Sequence, residues 1–283
     1  MTRPESTPIA PPAGVEATAY LVNESRARRP ELSRDPLAPA WIPEALRPSV
    51  RDLWEGYADT VYPHDDLVVS LRGRAVLDAV EHATRGATPP VLVSLGAGFT
   101  SYPWLAPVAA ALEIDLAGIV DAKSRREAEL RESGRLAATP VERGVVDLGA
   151  DGADDHVLEL TRDVAGGRPV ALVIEGLLYY LDDAAAEALL SLPHRLGGSL
   201  AAAAVSFWPT GTEANAVLER QRAWFVERGV SPQASHQSTD RIAAALGPGA
   251  RIQGPEDLQR GAGLPGVVPE HHLVPEYVAT VVR

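Results

Sequence analysis

The chain has 283 residues, of which 46% are apolar, no cysteine, and a formal net charge of −12. The missing cysteines exclude disulfides, thiolate metal ligands and a cysteine nucleophile. Acidity without a basic block argues against nucleic acid, whose phosphates call for clustered Lys and Arg. No apolar run approaches the roughly 20 residues of a membrane span, and the N-terminus lacks the basic-then-apolar order of a signal peptide. A soluble, cytoplasmic protein of open oligomeric state is expected.

Residues 1–14 are proline-rich, with Pro4, Pro8, Pro11 and Pro12, and are expected to be a disordered leader. A helical cap and substrate region is expected over residues 15–88. It opens with Ala17, Ala19, Tyr20, Leu21 and Val22 and turns basic at Arg26, Arg28 and Arg29. Asp35-Pro36 reads as a helix start, with aspartate as N-cap and proline at the first position. An aromatic-rich helical region from Trp41 to Tyr57 follows, broken by Pro63-His64-Asp65-Asp66, and a longer helix runs from about 66 to 84.

From residue 89 onward apolar β runs alternate with helices. Strands are expected at 91–95, 111–115, 141–148, 169–175 and 200–207, with a helical stretch between the first two and helices near 122–133, 154–165 and 182–192. Continuous apolar strands alternating with helices indicate a parallel sheet covered on both faces. After Pro209 come helices over 212–228 and 239–246, then short β runs at 251–254 and 277–282. These two close the sheet, at least one of them antiparallel. The expected fold is therefore α/β and Rossmann-like: a mostly parallel seven-stranded sheet over residues 89–283 beneath an N-terminal helical cap.

Four features fall at successive strand ends: the Gly96/Gly98 turn, Asp115, Asp147 and Glu175. Ligands of open α/β sheets bind outside the carboxyl ends of the strands. Glycine permits positive φ and lets a ligand approach where a Cβ would collide. Carboxylates there suit a ligand rich in donors, such as a ribose diol, an adenine amine or an α-amino group.

The order Val-Ser-Leu-Gly-Ala-Gly, Glu-Ile-Asp-Leu with Lys123 after it, Val-Asp-Leu, then Glu-Gly-Leu-Leu-Tyr-Tyr-Leu resembles the leucine carboxyl methyltransferase family, and within it the bacterial polyketide-tailoring carboxyl and O-methyltransferases. The resemblance implies a class I methyltransferase using S-adenosyl-L-methionine and no metal. By position, Gly96 and Gly98 would face the methionine part of the cofactor, Asp115 would hold the ribose, and Asp147 and Leu148 would bracket the adenine. Glu175 would lie near the cofactor's amino group and Tyr180 near methyl transfer. Arg72, of Arg72-Gly73-Arg74, would take the cofactor carboxylate through its bidentate fork. One departure stands out: where the family continues its turn with Asp-Thr-Arg, this chain has Phe99-Thr100-Ser101-Tyr102-Pro103-Trp104. Thr100, Ser101 and backbone amides are the candidates to replace the missing contacts.

The expected partner is a small natural-product acceptor, first a carboxylate and otherwise a hydroxyl. A carboxylate is already ionised near neutral pH and needs only a clamp, with Arg26, Arg28 or a tyrosine as candidates. A hydroxyl needs a general base, for which His64 leads His236, His271 and His272. Trp41, Trp54, Tyr57, Tyr62, Trp208 and Trp224 are candidates for an apolar acceptor wall. Two other readings remain: a cofactor-binding protein that has lost methyl transfer, motivated by the altered turn, and an NAD-dependent oxidoreductase, weakened because Ser101 stands where the third glycine of Gly-x-Gly-x-x-Gly belongs.

Overall fold

A computed structural model of the chain describes residues 14–230, 235–264 and 266–283. The expected leader, apart from Gly14, lies outside the described residues. Seven strands form one sheet: β1 Val91–Leu95, β2 Ala110–Asp115, β3 Val141–Val145, β4 Val170–Ile174, β5 Leu200–Phe207, β6 Arg251–Gln253 and β7 Tyr277–Val282. Their order is β3-β2-β1-β4-β5-β7-β6. The first five are parallel, and β7 runs antiparallel to both β5 and β6.

The longer helices are α1 Val15–Arg28, α2 Arg47–Thr60, α3 Asp65–Ala83, α4 Ala117–Glu132, α5 Ala153–Ala165, α6 Asp183–Leu190, α7 Ala216–Glu227, α8 Thr239–Leu246 and α9 Pro255–Gly261. Side-chain alternation sorts the central strands onto two faces. Leu92, Ala171, Ala202 and Ala204 join the core under α1, α2 and α3, whereas Val91, Val93, Leu172, Ala203 and Val205 join the core under α5, α6 and α8. The alanines of β5 let α3 lie close to the sheet. The cap therefore shares a core with the sheet.

Three expectations change. The stretch between β1 and β2 holds only the single turn Tyr102–Leu105 where a helix was expected. Pro103 suits a first turn, but Pro107 forces Ala106 extended, at ψ 147°, and ends it. Strand β3 stops at Val145, so Asp147 and Leu148 belong to the following loop. It is an edge strand with partly exposed residues rather than a continuous apolar run. The helical turn near Asp35 begins at Ala38 with Leu37 at the N-cap position, later than Asp35-Pro36 suggested, because Asp35 Oδ1 accepts the amides of Leu37 and Ala38, each at 3.0 Å, and so forms a turn ahead of it.

Glu113 of β2 is buried and accepts from Lys123 Nζ at 2.6 Å and from Arg143 Nε at 3.1 Å. Lys123 is sealed off as well. Removing the carboxylate strands a buried ammonium. Urea unfolding of Glu113→Ala is expected to show a loss of about 3–5 kcal/mol, while the exposed Glu142→Ala stays within about 0.5 kcal/mol.

Candidate functional site

Strand register explains why the acidic and glycine positions converge. Leu95 pairs with Ile114 on one side and Ile174 on the other. The next residues, Gly96, Asp115 and Glu175, therefore form a row across three adjacent strands at the carboxyl end of the sheet. They line one cavity together with Gly98, Thr100, Arg72, Leu177 and Tyr180, and α1 roofs it with Glu16, Ala19, Val22 and Arg26. Those four α1 positions recur at helical spacing, which puts them on one face.

The turn is built around Asp115. Gly96 and Gly98 have φ of 64° and 47°, a region that favours glycine. The Gly98 amide donates to Asp115 Oδ2 at 2.7 Å and the Leu116 amide to Oδ1 at 2.8 Å. Burial raises the Asp115 pKa, against the pull of those amides and Lys123. Each carboxylate oxygen accepts one bond from the protein and keeps a lone pair for a ligand.

Glu175 is the cavity's anionic centre and is 7% exposed. Its Oε1 accepts from Arg26 Nη2 at 3.1 Å and Arg72 Nε at 2.9 Å, and its Oε2 accepts from the Tyr102 hydroxyl. Burial alone would raise its pKa, but Arg26 and Arg72 together hold it below the ordinary carboxylate value. Arg72 Nη1 reaches Glu276 Oε1 and the Tyr179 hydroxyl, each at 3.3 Å. Two glycines leave room for this network. A Cβ at Gly73 would lie 3.3 Å from Arg26 Nε, and one at Gly176 would lie 3.3 Å from Arg72 Nη2. Among the described residues, Arg72 Nη2 and Arg26 Nη1 carry no protein hydrogen bond.

A second cavity adjoins the first, sharing Val22, Arg72 and Tyr180. Its walls are Tyr179, Tyr180, Trp208 and Phe225, and its polar groups are Asp65, Gln221 and Glu276. Tyr179 and Trp208 stack at 4.3 Å and 13°. Glu276 lies just ahead of β7, and because β7 is antiparallel this brings it to the same sheet end; its Oε2 accepts from Trp208 Nε1 at 3.0 Å. Burial pushes Glu276 and Asp65 up, the latter to about 6. Tyr180 stands between the cavities, shares a hydrogen bond with Thr18, and is pushed up to about 12 by burial.

Other expected residues lie elsewhere. His64 precedes α3, edge-on to Tyr62 at 5.9 Å, and lines neither cavity. Asp147 is exposed, its Oδ1 accepting the Gly149 amide at 3.0 Å, and Leu148 packs in the core under α5; neither lines the cavity. Arg28 stacks over Trp54 at 3.8 Å and pairs with Glu24 at 3.5 Å. Of the expected aromatic wall only Trp208 lines the second cavity; Trp41, Trp54, Tyr57, Tyr62 and Trp224 are core. Ser101 donates to Asp35 Oδ2 and accepts from Trp41 Nε1, each at 2.8 Å. The departed segment after Gly98 is thus tied into the cap, with Tyr102 supporting Glu175. Arg74 lines a separate groove with Asp78, His82 and Arg251.

Sequence reasoning did not single out Asp65, Glu276 or Tyr102. Among the described residues, no group of three or more His, Asp or Glu is placed to hold a metal ion, and no helix is long and apolar enough to cross a membrane.

The family model of leucine carboxyl methyltransferases matches residues 15–192. No curated protein matches the sequence. Among solved structures, the chain is similar to a DUF574 family protein from Streptomyces avermitilis, at 15% identity and TM-score 0.61, over 96% of this chain and 98% of that one. It is also similar to a methyltransferase candidate from Thermobifida fusca, at 13% identity and TM-score 0.57, over 96% and 95%. These likenesses span nearly the whole chain and show the fold.

The raised pKa of Asp65 has a consequence for stability. Between about pH 4 and pH 6 the folded chain holds a proton at Asp65 that the unfolded chain has released, so this group's contribution falls as pH rises through that window. Glu175 has the opposite sign: its contribution is present above the ordinary carboxylate range and is lost as pH falls through its depressed value. In urea titrations Asp65→Asn is expected to be more stable than the parent at pH 7, by up to about 3 kcal/mol, with the difference vanishing near pH 4.

Proposed function

This chain belongs to the leucine carboxyl methyltransferase family, an S-adenosylmethionine-dependent methyltransferase, and we propose that it carries the methyl group to an oxygen of a small natural-product acceptor. The carrying observation is that two cavities meet at Tyr180 and Arg72, one built from the glycine turn and acidic strand ends, the other walled by aromatic rings.

The chemistry of the first cavity's lining suits the methyl donor, which would enter with α1 displaced. The Gly96–Gly98 backbone faces its methionine part, and the spare lone pairs of Asp115 accept from the ribose hydroxyls. The uncommitted nitrogens of Arg72 and Arg26 take its carboxylate, a stronger bond for being charge-assisted. Glu175 counters the two arginines and attracts the amino group. Leu116 and Ile119 continue the cavity beyond Asp115, and the loop carrying Asp147 and Leu148 follows the next strand out, where the adenine would extend. When bound, the donor supplies an electrophilic methyl group; the protein supplies alignment and exclusion of water. The α1 roof serves the second task.

Charge in the second cavity weighs on the acceptor. Asp65 and Glu276 both line it, and the cavity's one arginine already spends two of its nitrogens on Glu175 and Glu276. A carboxylate acceptor would meet two further carboxyl groups there, so the hydroxyl alternative fits better. The reading in which methyl transfer is lost has less to motivate it, since Thr100, Ser101 and Tyr102 of the altered turn each find a hydrogen-bond partner, Tyr102 at Glu175.

Thermal unfolding with S-adenosylhomocysteine tests the donor site. A ligand at about 100 times its Kd adds about 2.7 kcal/mol to the native state, so the midpoint should rise by several degrees. Asp115→Ala and Glu175→Ala are expected to lose most of that rise, Arg28→Ala to keep it, and NAD to give none. No rise with the parent chain at millimolar ligand would refute the site.

A further inference from the structure

The outer edge of the sheet carries a groove that shares no lining residue with either cavity. Strand β6 pairs with β7 so that Arg251 stands opposite Thr280 and Gln253 opposite Val278. Ile252 and Ala279 pack into the core under α5, α6 and α8, and Val278 into the core under α3. Side-chain alternation therefore turns Arg251, Gln253 and Thr280 to the face that α3 covers. From α3 come Leu71, Arg74, Asp78 and His82, spaced along one face of the helix. Between these two surfaces, and closed at one end by Leu258 of α9, lies a groove of about 520 Å³. That volume is within the roughly 300–1,000 Å³ usual for small-molecule sites.

Charge sets this groove apart. Arg74 is half-buried, and among the described residues no hydrogen bond or ion pair holds its guanidinium. Every other described arginine without such a partner is exposed, Arg251 among them. Asp78 is the one carboxylate in the lining, and Arg34, which lies outside the groove, already donates to it at 2.5 Å. The groove thus presents two uncommitted guanidinium groups and His82 against one carboxylate that is already paired. Leu71, Leu258 and Val282 supply an apolar surface beside them.

We propose that this groove is a second ligand site, which binds a small organic anion, a carboxylate or phosphate monoester on an apolar body, through Arg74 and Arg251. The inference is independent of the methyltransferase reading. A guanidinium binds either headgroup through its planar fork, with bonds strengthened by charge. Arg74 has given up part of its hydration without gaining a partner in the protein, and an anionic ligand supplies the missing one. Gln253 and Thr280 add uncharged donors on the facing wall. The chain as a whole carries a net charge of −12, so its general field repels anions, and an anion that stays does so by local contacts. A cationic ligand finds no uncommitted carboxylate in this lining.

The test uses the full chain and four compounds that share one apolar body: hexanoate, hexyl phosphate, hexanol and hexylamine. In titrations followed by amide NMR, hexanoate or hexyl phosphate at millimolar concentration should shift the signals of Gly249, Gln253 and Gly261, which belong to the groove. Hexanol and hexylamine should leave them in place, and the tighter of the two anions identifies the headgroup. Arg74→Gln and Arg251→Gln should each weaken anion binding about tenfold. Arg85→Gln, exposed just beyond α3 and outside the groove, should leave it unchanged. Arg74→Gln should also keep the parent's urea midpoint, because Arg74 holds nothing else in the protein. Binding of hexanol as tight as that of the anions, full affinity in both groove variants, an equal loss in Arg85→Gln, a lowered urea midpoint in Arg74→Gln, or shifts confined to Gly96 and Gly98 of the glycine turn would overturn the proposal.

Discussion

One buried carboxylate sets the relative positions of most of the site. Glu175 leaves the end of β4 in the interior, and a charge there is tolerable only with opposite charge and hydrogen bonds in place. Its partners come from three elements: Arg26 from α1, Arg72 from α3, and Tyr102 from the turn after β1. The roof, the long helix over the sheet and the glycine turn are therefore referenced to the same two oxygen atoms. The cost shows in the backbone. Glycine at 73 sits inside an unbroken 19-residue helix, where it costs about 1 kcal/mol relative to alanine, and it leaves the space that Arg26 and Tyr102 occupy.

Much of this architecture was legible in the sequence, for reasons that can be named. Strands β1, β4 and β5 are apolar runs broken only by Ser94 and Ser206, and their boundaries fell close to those found. Gly96, Asp115 and Glu175 could be grouped because each ends a strand, and parallel register turns that shared position into adjacency. The single turn between β1 and β2 was less legible, because Pro103 is compatible with a helix start and only Pro107 closes it. The second cavity was hidden for another reason: Asp65, Tyr179, Gln221 and Glu276 are brought together across most of the chain, and no local spacing signals it. At the start of α3 the expectation fell on His64. Its neighbour Asp65, one residue on, is the side chain that enters the cavity, a distinction set by helix phase and not by residue type.

The concessions to stability gather in the same region. Asp65 and Glu276 are buried carboxylates whose pKa values are raised by desolvation. Arg26 Nε and Gln221 Oε1 lack partners among the described residues. Each is unfavourable for folding alone. Buried ionisable groups with shifted pKa values also occur in structural networks, and Glu113 with Lys123 and Arg143 is one here, closed on itself and lining neither cavity. What separates the two cases is place: the first set belongs to residues that line the two cavities, and the second does not.

The α1 helix joins the two cavities by an accident of phase. Ser25 and Arg26 are consecutive, and the first holds Asp65 while the second holds Glu175. The same helix roofs the glycine-turn cavity through Glu16, Ala19 and Val22. A displacement of α1 large enough to admit a nucleoside would part both contacts in one movement. The two buried carboxylates would lose their α1 partners together, with no signal relayed through the sheet.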